Sequence, residues 1–173
     1  MSEHRSEERA RSAANTSAGG RHDTTASGVS ASSRSADLPP VRVVLFSQRG
    51  AIRDSVRTAV GRRPARDLGR VDWIECETIE AVLGFLDAGS VDLVVLDGES
   101  QPTGGMGIAR QLKYEIRDCP PICVLIARQA DRWLAHWSLA DASLSFPLDA
   151  LQAAATVADL LRDRQRGIPV VRG

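Results

Sequence analysis

Asp97 is the residue whose type and position most directly suggest chemistry. It ends the apolar run VDLVVLD (residues 91–97) and is followed by Gly98. A β-branched run of this length is typical of a buried strand in a parallel sheet. In doubly wound sheets, ligands and reactive groups lie outside the carboxyl ends of the strands. The pattern therefore predicts that Asp97 lies where a reactive carboxylate could act.

Other side chains with chemical potential do not form a familiar catalytic set. Ser47 and Ser100 have no nearby His and Asp partners, so a hydrolase triad is not supported. The glycines of residues 104–107 follow the third predicted strand rather than the first and lack the GxGxxG spacing, so we interpret them as a helix entry rather than a phosphate cradle. His136 has no neighbouring metal ligands, which favours solvent exposure or a local hydrogen bond.

Composition narrows the class of protein. A chain of 173 residues is long enough for one domain with a substantial core. Lys plus Arg and Asp plus Glu both number 22, and this balance argues against a general polyanion binder. The 3 cysteines include no CxxC pair, so neither a disulfide framework nor a zinc site is indicated. The sequence has no transmembrane run and no signal-peptide core, and we expect a cytoplasmic protein.

Strand and helix patterns alternate along the chain from Val41 onward. Period and turn residues predict strands at 41–46, 71–76, 91–97, 121–127 and 142–146, and helices at 51–62, 79–88, 106–117, 131–139 and 148–164. Five strand–helix units imply an α/β fold: a doubly wound five-stranded parallel sheet with helices on both faces.

The two ends of the chain differ from this alternating region. Residues 1–40 are rich in Ser, Ala and Arg and contain few large aliphatic side chains, so we expect a disordered tail. We interpret this segment as a tolerated extension, and the alternative is a partner-binding or phosphorylatable tail. The folded domain is predicted to span 41–164, and 165–173 to be a flexible C-terminal tail.

The alternating region resembles the receiver domain of two-component response regulators, which has a flavodoxin-like (βα)5 fold. The resemblance lies in the strand–helix units, in Asp97 at the end of the third strand, in Gly105 eight residues later and in Phe146–Pro147 after the fifth strand. The family carries a Lys-Pro pair with a cis bond at that last place. Within this family, the chain resembles the atypical, degenerate, stand-alone (orphan) receivers of actinobacteria.

The resemblance also identifies a degenerate phosphorylation pocket. Receivers hold Mg²⁺ with a pair of acidic residues after the first strand, and here these are Ser47 and Gln48. The switch hydroxyl after the fourth strand is replaced by Ile126, and the lysine that pairs with the phosphoryl group by Phe146. Asp97 is therefore the phosphoacceptor only if it works without most of its usual partners.

Few other groups could compensate for these losses. Asp97 and Glu99 are the only weak candidates for a metal ligand, and Arg128 is the one nearby candidate cation. A long arginine at a strand end is usually a solvated loop residue. We therefore expect no cofactor, with Mg²⁺ required only if Asp97 is phosphorylated.

Trp133 and Trp137 lie four residues apart and so share one face of the fourth helix. They could pack inward, or they could be exposed anchors for a partner. In receivers, the fourth helix, fifth strand and fifth helix form the usual docking face, and the resemblance makes these tryptophans candidates for it.

The leading interpretation is a non-catalytic, receiver-like module that binds another protein or a multi-subunit complex and has no DNA-binding output domain. The resemblance extends to accessory subunits of larger assemblies, such as a membrane-bound respiratory enzyme. The alternative is a phosphorylatable single-domain regulator that uses Asp97 in a phosphorelay. A small enzyme or flavin carrier of the same architecture ranks last, because no phosphate loop follows the first strand.

Overall fold

Apolar strands and amphipathic helices alternate as the sequence pattern predicts. The computed structural model describes residues 38–167. The strands are β1 (Val41–Phe46), β2 (Val71–Cys76), β3 (Leu93–Asp97), β4 (Ile122–Ile126) and β5 (Ala142–Ser145). The helices are α1 (Gly50–Val60), α2 (Ile79–Asp87), α3 (Gly104–Glu115), α4 (Arg132–Trp137, after a 3-10 turn at Gln129–Asp131) and α5 (Ala150–Gln165).

The strands form one parallel sheet in the order β2-β1-β3-β4-β5. β3 lies between β1 and β4, where Phe46 pairs with Leu96 and Asp97 pairs with Leu125. The carboxyl ends of these three strands therefore meet at one edge of the sheet. The predicted fold class, a doubly wound five-stranded parallel sheet, is confirmed.

Each face of the sheet carries its own apolar core. On one face, α1 and α5 pack against alternate strand residues such as Leu45, Val95 and Leu125. On the other face, α2, α3 and α4 cover residues such as Val94 and Val124. Because β1, β3 and β4 are covered on both faces, they read as continuous apolar runs rather than alternating ones.

Polar side chains near the ends of elements explain where the observed bounds differ from the predicted ones. β3 begins two residues late because the Asp92 carboxylate accepts a hydrogen bond from the Arg42 backbone N–H at 2.7 Å, in the place of a strand carbonyl. α5 begins at Ala150 because the Asp149 side chain caps it, accepting from the Gln152 N–H at 2.7 Å.

The two predicted tails lie mostly outside the residues that the structure describes. The expectation for residues 1–40 falls largely outside residues 38–167, and so does that for 168–173. At the other boundary, α5 continues through Gln165, which had been assigned to the C-terminal tail. Within residues 38–167, no helix is long and apolar enough to cross a membrane.

The cysteines and the single lysine are buried. Cys76, Cys119 and Cys123 are free thiols, and burial raises the pKa of Cys119 to about 11 and that of Cys123 to about 12. The Lys113 ammonium, whose side chain is fully buried, contacts Asp141 Oδ2 at 2.6 Å. This ion pair joins α3 to the start of β5, away from the carboxyl edge of the sheet.

Candidate functional site

Asp97 lies at the carboxyl end of the central strand, as predicted, but it is enclosed. It is only 1% exposed. The Ser47 hydroxyl, at the end of the neighbouring β1, donates to Asp97 Oδ2 at 2.6 Å. The Glu99 backbone N–H donates to Oδ1 at 3.0 Å. These contacts fix the carboxylate in the turn after β3, and it does not cap α3.

Arg49 supplies the positive charge at this carboxylate. Its Nη2 lies 3.0 Å from Asp97 Oδ1 and 2.9 Å from Oδ2, and its Nε lies 3.3 Å from Oδ2. Such multiple charge-assisted hydrogen bonds hold a guanidinium in a defined orientation. The Arg49 side chain is 52% exposed, so it covers the carboxylate from the solvent side.

Arg128 is a solvated loop residue, as its place at a strand end indicated, and Arg49 rather than Arg128 is the cation near Asp97. The Arg128 side chain is 79% exposed and points to Asp131, 3.4 Å away on the following turn. Arg49 was missed because it precedes α1, at a position for which the resemblance assigns no role. A signal was available in the sequence: a carboxylate buried at a strand end needs a cation or several donors, and Arg49 is only two residues beyond Ser47.

The contacts of Asp97 lower its pKa. Burial raises the pKa of Asp97, but hydrogen bonds from Ser47, Arg49 and the Glu99 N–H outweigh this effect, with the charge of Arg49 adding to them. The net pKa is below the ordinary value of an aspartate. Asp97 is therefore an ionised carboxylate that is paired with a cation of the same chain, Arg49.

The remaining residues after β1 tie loops together. Gln48 Nε2 donates to the Gln101 carbonyl oxygen at 2.6 Å, linking this segment to the loop after β3. The Ser47 carbonyl accepts from Arg53 Nη1 at 2.6 Å, linking it to α1. Glu99 is exposed and contributes only its backbone N–H to the carboxylate. Ser47 and Gln48, which the resemblance sets at the acidic positions of the family, thus each have a hydrogen-bond partner within the domain.

Ile126 and Phe146, which the resemblance sets at the places of the switch hydroxyl and the lysine, both lie in apolar surroundings. Ile126 is 1% exposed and is part of the core under α2, α3 and α4. Phe146 is half-buried against the opposite core, and its backbone N–H donates to the Ile126 carbonyl at 3.0 Å. The Phe146–Pro147 peptide bond is cis, as the resemblance implied.

Two glycines permit the close packing of backbone around Asp97. A Cβ atom on Gly105 would lie 2.5 Å from the Asp97 carbonyl oxygen, and one on Gly98 would lie 2.4 Å from the Leu125 carbonyl oxygen. Neither distance is sterically allowed. The first turn of α3 therefore rests directly on the end of β3, which explains the glycine eight residues after Asp97.

The donor set at this edge does not fit Mg²⁺. That ion requires an octahedral oxygen shell with one or two carboxylates. Asp97 already binds the Arg49 cation through both oxygens, and the Ser47 hydroxyl is committed to the same carboxylate. Across residues 38–167, no three His, Cys, Asp or Glu side chains form a group that could hold a metal ion.

A second feature is an exposed aromatic patch, which we define as Trp133, Trp137 and Tyr114 together with Arg110. Trp133, Trp137 and Tyr114 are 66%, 55% and 58% exposed, respectively. The Arg110 guanidinium carbon lies 4.6 Å from the Trp137 ring centre and 5.3 Å from the Tyr114 ring centre. Arg110 Nη1 also donates to the Trp137 carbonyl at 2.7 Å.

The orientation of the two tryptophans, which the sequence left open, is outward. Ala135, between them, is the buried residue of α4. The aromatic patch extends from α4 onto α3 through Arg110, rather than toward β5. Leu144 of β5 is 2% exposed and lies in the core, so it adds nothing to this surface.

Comparison with known proteins identifies close relatives. No protein-family model matches the chain. Uncharacterized response regulatory proteins from two strains of Mycobacterium tuberculosis are 44% identical to it over 122 residues. The match covers 70% of this chain and 92% of each relative.

Solved receiver structures share the fold at low sequence identity. A response regulator receiver domain protein from Clostridium thermocellum superposes with a TM-score of 0.60 at 16% identity, covering 74% of this chain and 99% of that one. The receiver domain of a Francisella response regulator gives a TM-score of 0.58 at 14% identity, covering 70% and 97%. With the relatives from Mycobacterium, these likenesses lead to one conclusion. The chain belongs to the response regulator family and has the fold of its receiver domain.

Proposed function

We propose that this response regulator is a non-catalytic protein-binding module that functions without phosphorylation of Asp97. Receiver domains are in general signalling modules that interact with other proteins. One observation carries the proposal: the Arg49 guanidinium binds both oxygens of Asp97, where an incoming phosphoryl group and its metal would have to be accommodated.

The chemistry of phosphoryl transfer supports this proposal. The transferred group carries charge on three oxygens, and its transition state requires cations and hydrogen-bond donors positioned around it. Here the carboxylate is enclosed, Ser47 and Gln48 are neutral, and Ile126 and Phe146 offer no polar atom in their side chains. Arg49 is the one cation in contact with Asp97 among the described residues, and it neutralises the acceptor itself.

The same contact gives Asp97 a structural role. The carboxylate links the end of β1, through Ser47 and Arg49, to the end of β3. In a phosphorylated receiver this region rearranges with the phosphoryl group. In this protein, the internal ion pair holds it in one arrangement, so binding of a partner would not depend on a kinase.

We place the partner-binding surface at the aromatic patch. Tryptophan and tyrosine rings that are more than half exposed provide large apolar area with few rotatable bonds, which is typical of interface anchors. Arg110 is held between Trp137 and Tyr114, so its orientation is fixed before binding. A multi-subunit assembly, such as a respiratory enzyme, is the class of partner that the resemblance suggests.

Intact-mass spectrometry with acetyl phosphate and Mg²⁺ tests the first part. We expect no mass increase of one phosphoryl group on the wild-type protein. A stoichiometric increase that is absent in Asp97→Ala would contradict the proposal and establish the alternative, a phosphorylatable single-domain regulator in a two-component phosphorelay.

Co-purification from native cells with a C-terminal tag in mild detergent tests the second part. We expect a stoichiometric partner set that is retained by Phe85→Ala and lost from the Trp133→Ala, Trp137→Ala double variant. Phe85 is the matched control because it is an aromatic residue, 38% exposed, that lies on α2, outside both the patch and the usual docking face of receivers. Partners that remain bound to the double variant, or a wild-type protein that purifies alone, would refute this assignment.

A further inference from the structure

A cavity lies at the opposite edge of the sheet from Asp97. It has a volume of about 370 Å³ and is lined by the end of α1 and the start of β2, with Asp54, Thr58, Arg62, Arg70 and Trp73 among its walls. This volume is within the range of small-ligand sites, about 300–1,000 Å³. Ligand sites of doubly wound sheets ordinarily lie at the carboxyl ends of the strands, where Asp97 lies. This cavity is therefore separate from the site around Asp97.

The lining of this cavity carries three arginines, Arg57, Arg62 and Arg70, against one carboxylate, Asp54. Residues 57–70 contain 5 arginines and a single acidic residue, Asp67, in a chain whose net charge is zero. Asp67 is engaged by Arg162, whose Nε and Nη2 each lie 2.8 Å from one of its oxygens. The one acidic residue of this segment is therefore paired with an arginine from outside it, and the positive charge of residues 57–70 is not neutralised within the segment.

Two of these arginines are available to a ligand. Over residues 38–167, Arg62 and Arg70 form no ion pair or side-chain hydrogen bond, and both are exposed. Arg57, which also lines the cavity, is oriented differently: its Nη1 lies 2.7 Å from Glu75 Oε1. Among the described residues, the cavity thus combines one arginine held by Glu75 with two that have no acidic partner.

The remaining walls suit a ring and hydroxyl groups. Trp73 is half-buried, packs against the core under α1 and α5, and lines the cavity. An indole so placed offers a rigid apolar surface to a flat ring. The Asp54 carboxylate and the Thr58 hydroxyl line the same cavity and can accept hydrogen bonds from ligand hydroxyls.

We propose that this cavity binds a nucleoside phosphate, with Arg62 and Arg70 on the phosphate groups, Trp73 against the base, and Asp54 and Thr58 toward the sugar. A guanidinium is suited to phosphate because it donates two parallel hydrogen bonds. The cavity includes neither Asp97 nor any residue of the aromatic patch, so this proposal can be tested independently of the proposed function.

Isothermal titration of the full-length protein tests the proposal, with ADP, adenosine and inorganic pyrophosphate as probes. We expect ADP to bind more tightly than either fragment, because only ADP engages both the arginines and the indole. Arg62→Gln and Arg70→Gln should each weaken ADP binding by roughly 10-fold. Arg132→Gln, an exposed arginine on α4, is the matched control and should leave the affinity unchanged.

Three results would overturn the proposal. The first is no ADP binding up to millimolar concentration. The second is pyrophosphate binding as tightly as ADP, which would mean a simple anion site. The third is ADP binding that is unaffected by the Arg62→Gln, Arg70→Gln double variant, which would locate the ligand elsewhere. Both substitutions are at exposed positions, so urea unfolding should confirm that the variants fold normally.

Discussion

Removal of the Arg49 guanidinium should destabilise the protein, and the loss of stability can be estimated from the burial of Asp97 and the exposure of Arg49. Arg49→Ala deletes the cation from a carboxylate that is 1% exposed and leaves it with the Ser47 hydroxyl and the Glu99 N–H. A hydrogen bond to a charged group contributes about 1.5–3 kcal/mol. Arg49 itself is 52% exposed, and solvent screens its charge. We therefore expect a loss of about 1–2 kcal/mol in the free energy of unfolding at pH 7.

The pH dependence of this loss has a defined sign. Hydrogen bonds to the carboxylate keep the pKa of Asp97 below its ordinary value. A group with a lowered pKa in the folded state adds stability that is full above its unfolded pKa, about 3.9, and is lost as the pH falls through the folded value. In Arg49→Ala, the pKa of Asp97 rises. The deficit of the variant is therefore full at pH 7 and disappears in acid, where Asp97 is protonated in both proteins.

Urea unfolding at several pH values measures the effect, and a double-mutant cycle with Asp97→Asn isolates the pair. We expect a coupling free energy of about 1 kcal/mol between the two sites. Arg132→Ala, which removes an exposed arginine from α4, should change stability by no more than about 0.5 kcal/mol. Equal stability of Arg49→Ala and the wild type at pH 7, with zero coupling to Asp97→Asn, would refute the reasoning.

Two further substitutions test how the elements are held together. Gly105→Ala should destabilise the protein by about 1–3 kcal/mol, because its Cβ would lie 2.5 Å from the Asp97 carbonyl oxygen. Gly84→Ala, in an open position of α2, should instead be neutral or stabilising, and chemical denaturation that ranks the two equally would contradict this account. Lys113→Ala removes the buried ammonium that contacts Asp141 at 2.6 Å and should cost about 3 kcal/mol. A thermal midpoint for Lys113→Ala within experimental error of the wild type would show that this ion pair contributes little.

The strand and helix periodicities predicted the fold class because they reflect which side chains of each strand and helix must be buried. Buried parallel strands require continuous apolar runs, and helices of this fold require one apolar face. The position of Asp97 followed from the same rule, since it ends the central run. Bounds were less certain where a polar side chain competes with the backbone, and Asp92 shortened β3 in this way.

The surroundings of Asp97 were only partly predictable. The resemblance to receivers identified what Ser47, Gln48, Ile126 and Phe146 lack, because those positions are compared one by one. It gave no indication of Arg49, because the comparison considers only the positions to which the family assigns a role, and the position of Arg49 is not one of them. The interaction depends on how the segment after β1 folds back over the end of β3.

The sequence by itself determined the architecture, the burial of the central strands and the placement of a carboxylate at their carboxyl edge, because these depend on residue type and spacing along the chain. Only the tertiary structure decided that Arg49 neutralises Asp97, that Trp133 and Trp137 face outward beside Arg110, and that Arg62 and Arg70 border one cavity. Each of these depends on the distance between elements that are remote in sequence. Helical spacing indicates that two side chains share a face, whereas the packing of neighbouring helices determines which face is exposed.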